Sequence, residues 1–209
     1  SLPDQVLVSF DNVPPVADAG DNQNVRVDDA VLLDGTGSYD DNLDPLTYAW
    51  SLVEAPAFSQ AALDDPTSAT PSITPDVAGT YVVHLIVRDG LADSNVASAT
   101  IVATTAEGEL VDILEYATDV VNGLDASAFK NKSLQKNMAK HIGQALAQVD
   151  EGNHAAARDK LEAVLQKTDG CADSASPDPN DWIVDCAAQS QVHPLIVEAI
   201  ALIDEILGA

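Results

Sequence analysis

A run of oxygen-bearing side chains, DDNLD at residues 40–44, offers the clearest ligand chemistry in this chain. Closely spaced carboxylate and amide oxygens are the donors that Ca²⁺ prefers. The run has neither the glycine nor the distal glutamate of the twelve-residue helical calcium loop. Two interpretations stay open, a solvated turn or a Ca²⁺ site. The candidate ligands are Asp40, Asp41, Asn42 and Asp44.

The chain has two cysteines, Cys171 and Cys186, within the segment TDGCADSASPDPNDWIVDC. A redox pair is normally C-x-x-C, and a metal site needs further thiols or histidines at ligand spacing. The spacing therefore predicts a structural disulfide across the loop at residues 171–186. Closing about 15 residues would stabilise the fold by roughly 3 kcal/mol in the chain-entropy model. A disulfide favours an oxidising exterior.

Other reactive groups form no recognisable catalytic set, and we expect a protein that is not an enzyme. The GTGS run at residues 35–38 is neither a nucleophile elbow nor a phosphate loop. Acid pairs are numerous, but none is singled out as a glycosidase dyad. The histidines follow no metal-ligand pattern: His84, His141, His154 and His193. No cofactor is expected apart from the Ca²⁺ considered above.

The elements that carry the acidic run have the pattern of a β-sandwich. A short apolar strand at residues 31–33 leads into small turn residues, and residues 46–53 form a strand rich in β-formers around Trp50. We expect Trp50 to be the large buried anchor between the two sheets. Alternation over residues 81–88 places one set of side chains on a single face: Tyr81, Val83, Leu85 and Val87. The pattern predicts antiparallel strands over roughly the first half of the chain.

Four motifs in this region occur in a familiar order: PVADAG, LDGTGSYD, YAW and GTYVVHLIVRDG. Here the chain resembles the PKD (polycystic kidney disease) domain family, the immunoglobulin-like repeats of secreted and surface proteins. It has DPLTYAW where many members have W-D-F-G-D-G. The resemblance implies a PKD-like β-sandwich over residues 14–105. Some PKD domains bind calcium through acidic end loops, which is what the resemblance implies for residues 40–44.

Residues 106–209 show helical periodicity instead. It predicts helices over 107–122 and 133–149, a third helix capped by Asn153 and ending at Asp169-Gly170, and a fourth over 183–207, kinked around Pro194. Short loops favour a small antiparallel helical bundle. The chain is thus predicted to have two domains, all-β and then all-α. The segments HAAARDKLEAVL and TDGC…DWIVDC resemble helical modules at the carboxyl ends of secreted bacterial multidomain proteins.

The chain is strongly acidic, with 34 Asp and Glu against 9 Lys and Arg and a net charge of −25. Such a surface repels nucleic acid and anionic lipid, so neither is expected as a partner. It suits a saline or calcium-containing exterior, although solubility alone is an equally open interpretation. The chain has no run of 18 apolar residues, so membrane insertion is not expected.

Residues 1–13 precede the PKD-like motifs and contain one orphan strand, formed by Val6, Leu7, Val8, Ser9 and Phe10. This strand can fold back onto its own sandwich, add to a neighbouring molecule, or remain disordered. Thirteen extended residues reach about 40 Å, enough to cross to another subunit. Strand addition would satisfy the backbone of the lone strand, and a head-to-tail contact of this kind propagates into a filament.

Our leading hypothesis is an extracellular or cell-surface structural protein of a prokaryote, self-associating through the N-terminal strand. The alternative is a carbohydrate- or protein-binding accessory module of a larger secreted hydrolase or adhesin, with a glycan or surface protein as partner. A glycan site needs exposed aromatic residues. The candidates outside the sandwich core are Trp182, Tyr39 and Tyr116.

Overall fold

The structure, a computed structural model, describes residues 11–208 apart from the side chains of residues 173 and 174. The chain divides between Thr105 and Ala106 into two compact units. The first unit contains the strands and the second the helices, which confirms the predicted order of all-β then all-α. The predicted strand at Val6 to Phe10 lies outside the described residues.

Six strands build the first unit in two sheets. They are β1 (Gln23–Arg26), β2 (Val31–Leu32), β3 (Thr47–Glu54), β4 (Ser72–Ile73), β5 (Gly79–Arg88) and β6 (Ala97–Thr104). The larger sheet has the order β1-β6-β5-β3, and β2 pairs with β4 in the smaller one. The sandwich was expected to be antiparallel throughout, and this was wrong for one pair, since β1 runs parallel to β6.

The sandwich core lies where the alternation along β5 predicted it. Tyr81, Val83, Leu85 and Val87 are all fully buried. Trp50 is buried as well, and its indole N–H donates to the Ser68 carbonyl at 3.1 Å. This bond satisfies the one polar group that the indole brings into the core.

Five helices build the second unit: α1 (Ala106–Gly123), α2 (Lys132–Asp150), α3 (His154–Leu165), α4 (Gly170–Ser174) and α5 (Cys186–Leu207). The four longer helices pack in a closed ring in which α1 contacts α2 and α5, and α3 contacts α2 and α5. One buried cluster fills the centre, with residues such as Leu114, Ile142, Leu161 and Ile196 from each helix in turn. The predicted helical bundle is therefore present.

Several helix ends differ from the prediction. The third helix ends at Leu165, and the short α4 follows at the predicted stop, Asp169-Gly170. Asn153 precedes α3 but its side-chain oxygen caps no backbone N–H of the helix, and its amide donates to Glu151. The fourth predicted helix begins at Cys186 and runs without interruption through Pro194. Residue Ile183, expected in that helix, forms an isolated β-bridge with Phe129.

Helix α5 is long and apolar enough to cross a membrane by length and composition. In the bundle, however, Val192, Ile196, Ala199 and Ile203 along this helix are fully buried against the other helices. A core helix passes the same test of length and hydropathy, so the test alone gives weak support for a membrane span.

Candidate functional site

Asp40 organises the acidic run at residues 40–44. Its side chain is 5% exposed, and its Oδ1 accepts the backbone N–H groups of Asn42 at 2.9 Å and Asp44 at 3.1 Å. An aspartate that accepts backbone N–H groups two and four residues ahead closes a tight turn. Within that turn Leu43 has a left-handed backbone, with φ at 63°. Asp40 therefore closes a turn, as one of the two sequence interpretations had it, but it is buried in that turn.

Hydrogen bonds tie this acidic turn to neighbouring loops at one end of the sandwich. The Asn42 side-chain oxygen accepts the Val13 N–H at 2.8 Å, and the Asn12 amide donates to Asp89 at 2.8 Å. Asp89 also accepts the Ala92 N–H at 2.6 Å in the turn after β5. The bonds from Ala92 and Asn12 lower the pKa of Asp89. Asp89 thus holds this end of the sandwich best when it is ionised.

A surface hollow of about 510 Å³ lies beside the turn, lined by Asn12, Asp41, Asn42, Asp44 and Leu91. Asp41 and Asp44 line the hollow, and the buried Oδ2 of Asp40 has no hydrogen-bond partner. Two of the expected ligand oxygens, on Asp40 and Asn42, are already used by backbone N–H groups. Ca²⁺ at Asp40, Asp41, Asn42 and Asp44 stays a prediction.

The disulfide predicted between Cys171 and Cys186 is formed, with the two Cα atoms 5.5 Å apart. Cys171 is the second residue of α4 and Cys186 is the first residue of α5. The bond therefore joins the short helix to the start of the long core helix. Between α4 and α5, residues 175–185 form an irregular segment without a helix.

The three histidines of the helical unit each lie beside a different neighbour. The His141 ring packs on Trp182 with centroids 5.7 Å apart, and His154 Nε2 lies 3.3 Å from the Glu107 carboxylate. His193 Nδ1 lies 3.4 Å from the Thr168 hydroxyl. Within residues 11–208, these side chains do not converge on a shared ligand or nucleophile.

Exposure changes the choice of aromatic candidates for a binding surface. Trp182 is half-buried against the helical core, so its indole is committed to packing. Tyr39 and Tyr116 are exposed, as a contact residue needs to be. Phe58 was missed in the sequence, yet it is 94% exposed in the loop after β3, with φ at 72°. No sequence pattern marks it, because its exposure follows from a turn built by distant residues.

Comparison with known families supports the motif-based expectation. Residues 19–103 match the family described as "K319L-like, PKD domain". This confirms the resemblance to PKD domains and their immunoglobulin-like fold for the first unit. A search of curated proteins found no match.

Among solved structures, the PKD domain from the KIAA 1837 protein is 27% identical, with a TM-score of 0.38, and the match covers 47% of this chain and 93% of that one. The PKD domain of human KIAA0319 is 18% identical, with a TM-score of 0.37, over 44% of this chain and 82% of that one. A nucleoside hydrolase-related hypothetical protein from Saccharophagus degradans, associated with carbohydrate metabolism, is 22% identical with a TM-score of 0.40. That match covers 44% of this chain and 26% of the longer protein.

Proposed function

We propose that this chain, whose residues 19–103 form a PKD domain, is a non-enzymatic extracellular module for adhesion or assembly. The observation that carries the proposal is the family match, because the PKD family is non-catalytic and its domains serve as adhesion or binding modules. The intramolecular disulfide supports the same location, since such bonds persist in oxidising compartments outside the cytosol.

The finer proposal is assembly by strand addition. Val6, Val8 and Phe10 alternate with Leu7 and Ser9, so one face of the N-terminal strand is apolar. A strand of this kind gains backbone hydrogen bonds and buries its apolar face when it joins the edge of a sheet. Joining the next copy of the chain would build a linear polymer.

The sandwich offers β3 as an acceptor, because β3 lies at the end of the larger sheet. Tyr48 and Leu52 flank Trp50 on its core-facing side and are half-buried, so an added strand would cover them. In the described part of the chain, one hydrogen bond is recorded on the outer side of β3, from the Trp50 N–H to the Pro66 carbonyl. Added pairing would therefore run along β3 to either side of Trp50.

Substitution of Val8 by proline tests this assembly. Proline removes a backbone donor from the middle of the strand, and Val8→Pro should convert assembled protein to monomer. Mass by light scattering and negative-stain electron microscopy would compare the full chain, Val8→Pro and a variant without residues 1–13. Ser9→Asp, on the other face of the same strand, is the matched control and should still assemble.

A full-length chain that is monomeric at every concentration measured would overturn the strand-addition proposal. The broader proposal of a non-enzymatic extracellular module would survive that result, because it rests on the family match. The Ca²⁺ predicted at the acidic turn is part of this broader proposal. It would neutralise Asp41 and Asp44 and give the buried Oδ2 of Asp40 a partner.

A second candidate function is glycan or protein binding as an accessory module, and Phe58 favours it. The Phe58 ring is exposed on a turn. Two hydrogen bonds to the Asp76 carboxylate, from the Ser59 hydroxyl and the Gln60 N–H, hold this turn. An exposed ring on a hydrogen-bonded turn is suited to stacking on a sugar or an apolar side chain. A polysaccharide pull-down that is lost in Phe58→Ala and kept in Tyr116→Ala would favour this function over assembly.

A further inference from the structure

Three carboxylates converge in the irregular segment between α3 and α5. Asp169 directly precedes α4. Asp178 and Asp181 lie nine and twelve residues after Asp169 in the chain. Each side chain contributes one oxygen, and the three oxygens lie within 4.8 Å of one another. Like charges at this separation repel, so the arrangement needs a compensating positive charge or proton.

The interior position of Asp181 makes the requirement stronger. Its side chain is 0% exposed, and its Oδ1 is buried without a hydrogen-bond partner. Its Oδ2 accepts the Asp178 N–H at 2.7 Å and the Gln189 amide at 2.9 Å. The Oδ1 of Asp169 is likewise buried and without a partner. A carboxylate only accepts, so an unpartnered buried oxygen on each of two clustered aspartates points to a cation.

In the described part of the chain, no ion pair joins a lysine, arginine or histidine to this cluster. None of the recorded ion pairs of residues 11–208 includes Asp169, Asp178 or Asp181. Lys130 reaches this segment, but its Nζ donates to the Pro179 carbonyl at 2.6 Å. The hydrogen bonds to Asp178 and Asp181 come from neutral backbone and amide groups.

The backbone around the cluster is built for close approach. A Cβ on Gly170 would collide with Asp181 Oδ2 and with the Asp178 backbone nitrogen. Glycine at this position lets the loop at Asp178 fold directly over the start of α4. Asp178 Oδ1 then accepts the Asp181 N–H at 3.0 Å, which sets the distance between the two later carboxylates.

We propose that Asp169, Asp178 and Asp181 bind one divalent cation, and that this cation is Ca²⁺. Ca²⁺ binds oxygen ligands at about 2.3–2.6 Å, so ligands on opposite sides of the ion lie roughly 5 Å apart. Three carboxylate oxygens within 4.8 Å fit around one such ion. Carbonyls of the loop and water would complete the six to eight ligands that Ca²⁺ takes.

The proposed ion would act together with the disulfide. Cys171 and Cys186 close a loop. Asp169 lies two residues before this loop begins, and Asp181 lies within it, five residues before Cys186. The Gln189 side chain connects the two features, because its amide donates to Asp181 and its oxygen accepts the Cys171 N–H at 3.0 Å. The ion would thus hold the irregular segment against α5. This inference does not depend on the proposed assembly.

Calcium titration of the metal-free full chain tests the site. Isothermal titration calorimetry would count bound ions, and thermal unfolding followed by circular dichroism at 222 nm would report on the helices. Wild-type protein should bind Ca²⁺ in the submillimolar to millimolar range typical of extracellular modules. The helical transition should rise by at least about 5 °C at saturation.

Asp181→Asn should bind one ion fewer and lose this thermal shift. In EDTA, Asp181→Asn should be as stable as wild type or more so, since the substitution removes a buried charge from an ion-free cluster. A purely structural acceptor would give the opposite result, with the variant less stable in EDTA. Counting ions by difference separates this site from the acidic turn of the sandwich, which Asp181→Asn leaves intact.

Asp178→Asn provides a second variant should Asp181→Asn fold poorly, and Asp112→Asn, exposed on α1, is the control that should behave as wild type. Equal ion counts and equal thermal shifts in wild type and both cluster variants would overturn the proposal. So would the lack of any binding up to about 10 mM Ca²⁺. Binding of Mg²⁺ with no response to Ca²⁺ would overturn the assignment of the ion.

Discussion

Single aspartates hold the exposed loops of the sandwich in strained conformations. Leu43 and Phe58 both have positive φ, and both are at least 90% exposed. A left-handed backbone costs roughly 1–2 kcal/mol for a residue with a side chain. Asp40 closes the turn that contains Leu43, and Asp76 accepts bonds from the two residues that follow Phe58. Hydrogen bonds to these carboxylates offset the strain.

Asp76 gives a pH prediction at this scale. Hydrogen bonds from the Ser59 side chain and then the Gln60 N–H lower its pKa below 3.8 in the folded protein. A lowered folded pKa means that the ionised form stabilises the fold. This contribution is present above about pH 4 and is lost as the pH falls through the lowered pKa.

We expect Asp76→Asn to lower the melting temperature of the sandwich by a few degrees at neutral pH, because amide for carboxylate weakens both bonds. The difference from wild type should shrink as the pH falls below about 4. Differential scanning calorimetry across this pH range measures it, with Asp21→Asn, an exposed aspartate of the same unit, as control. A difference that stays constant down to the lowest pH would contradict the assigned role of ionised Asp76.

At the scale of elements, one covalent bond joins α4 to α5. The segment between them contains two prolines, three aspartates and little regular structure, and the Cys171–Cys186 disulfide closes it. The bond reduces the number of conformations open to the unfolded loop. In the folded protein Asp181 accepts from the side-chain amide of Gln189, which is buried on α5.

Replacing both cysteines with serine should destabilise the helical unit by roughly 3 kcal/mol, the value expected for a loop of about 15 residues. Urea unfolding followed at 222 nm measures the change. Wild-type protein treated with a reductant should show the same loss, and the reductant should leave the double variant unchanged. Equal midpoints for wild type and the double variant would show that the segment is held without the bond.

At the scale of the whole molecule, a net charge of −25 sets the response to salt. Mutual repulsion of acids destabilises compact states, and added salt screens it over a Debye length of about 10 Å at 0.1 M. The ion pairs that salt would weaken include those of Arg88 with Asp93 and of Arg158 with Glu162 and Asp204, against 34 acids. Screening of repulsion should therefore outweigh loss of attraction.

We expect the melting temperature to rise by several degrees between about 0.05 and 1 M NaCl, with EDTA present to remove divalent ions. Calorimetry in NaCl and in choline chloride at equal ionic strength separates general screening from binding of a particular cation. Similar rises in both salts fit screening. A melting temperature that falls with salt would mean that favourable ion pairs dominate the charge balance.

Local patterns in the sequence were enough to predict the β-sandwich, the helical bundle and the core residues of the sandwich. Period-two alternation placed Tyr81 and its neighbours inside the sandwich, and helical periodicity predicted the helices that bury Leu114 and Ile196 in the bundle. The Cys171–Cys186 pairing followed from there being two cysteines in one loop. These features are determined by residues close together in the chain, whose periodicity must match the element that buries them.

Tertiary structure alone decided the parallel pairing of β1 with β6, the exposure of Phe58, the packing of Trp182 and the convergence of Asp169, Asp178 and Asp181. Each depends on where separate segments meet. Asp178 and Asp181 lie nine and twelve residues after Asp169 in an irregular loop, so their spacing shows no helix or strand period. In a chain with 34 acids the three do not stand out. The path of the loop over Gly170 is what brings their oxygens together.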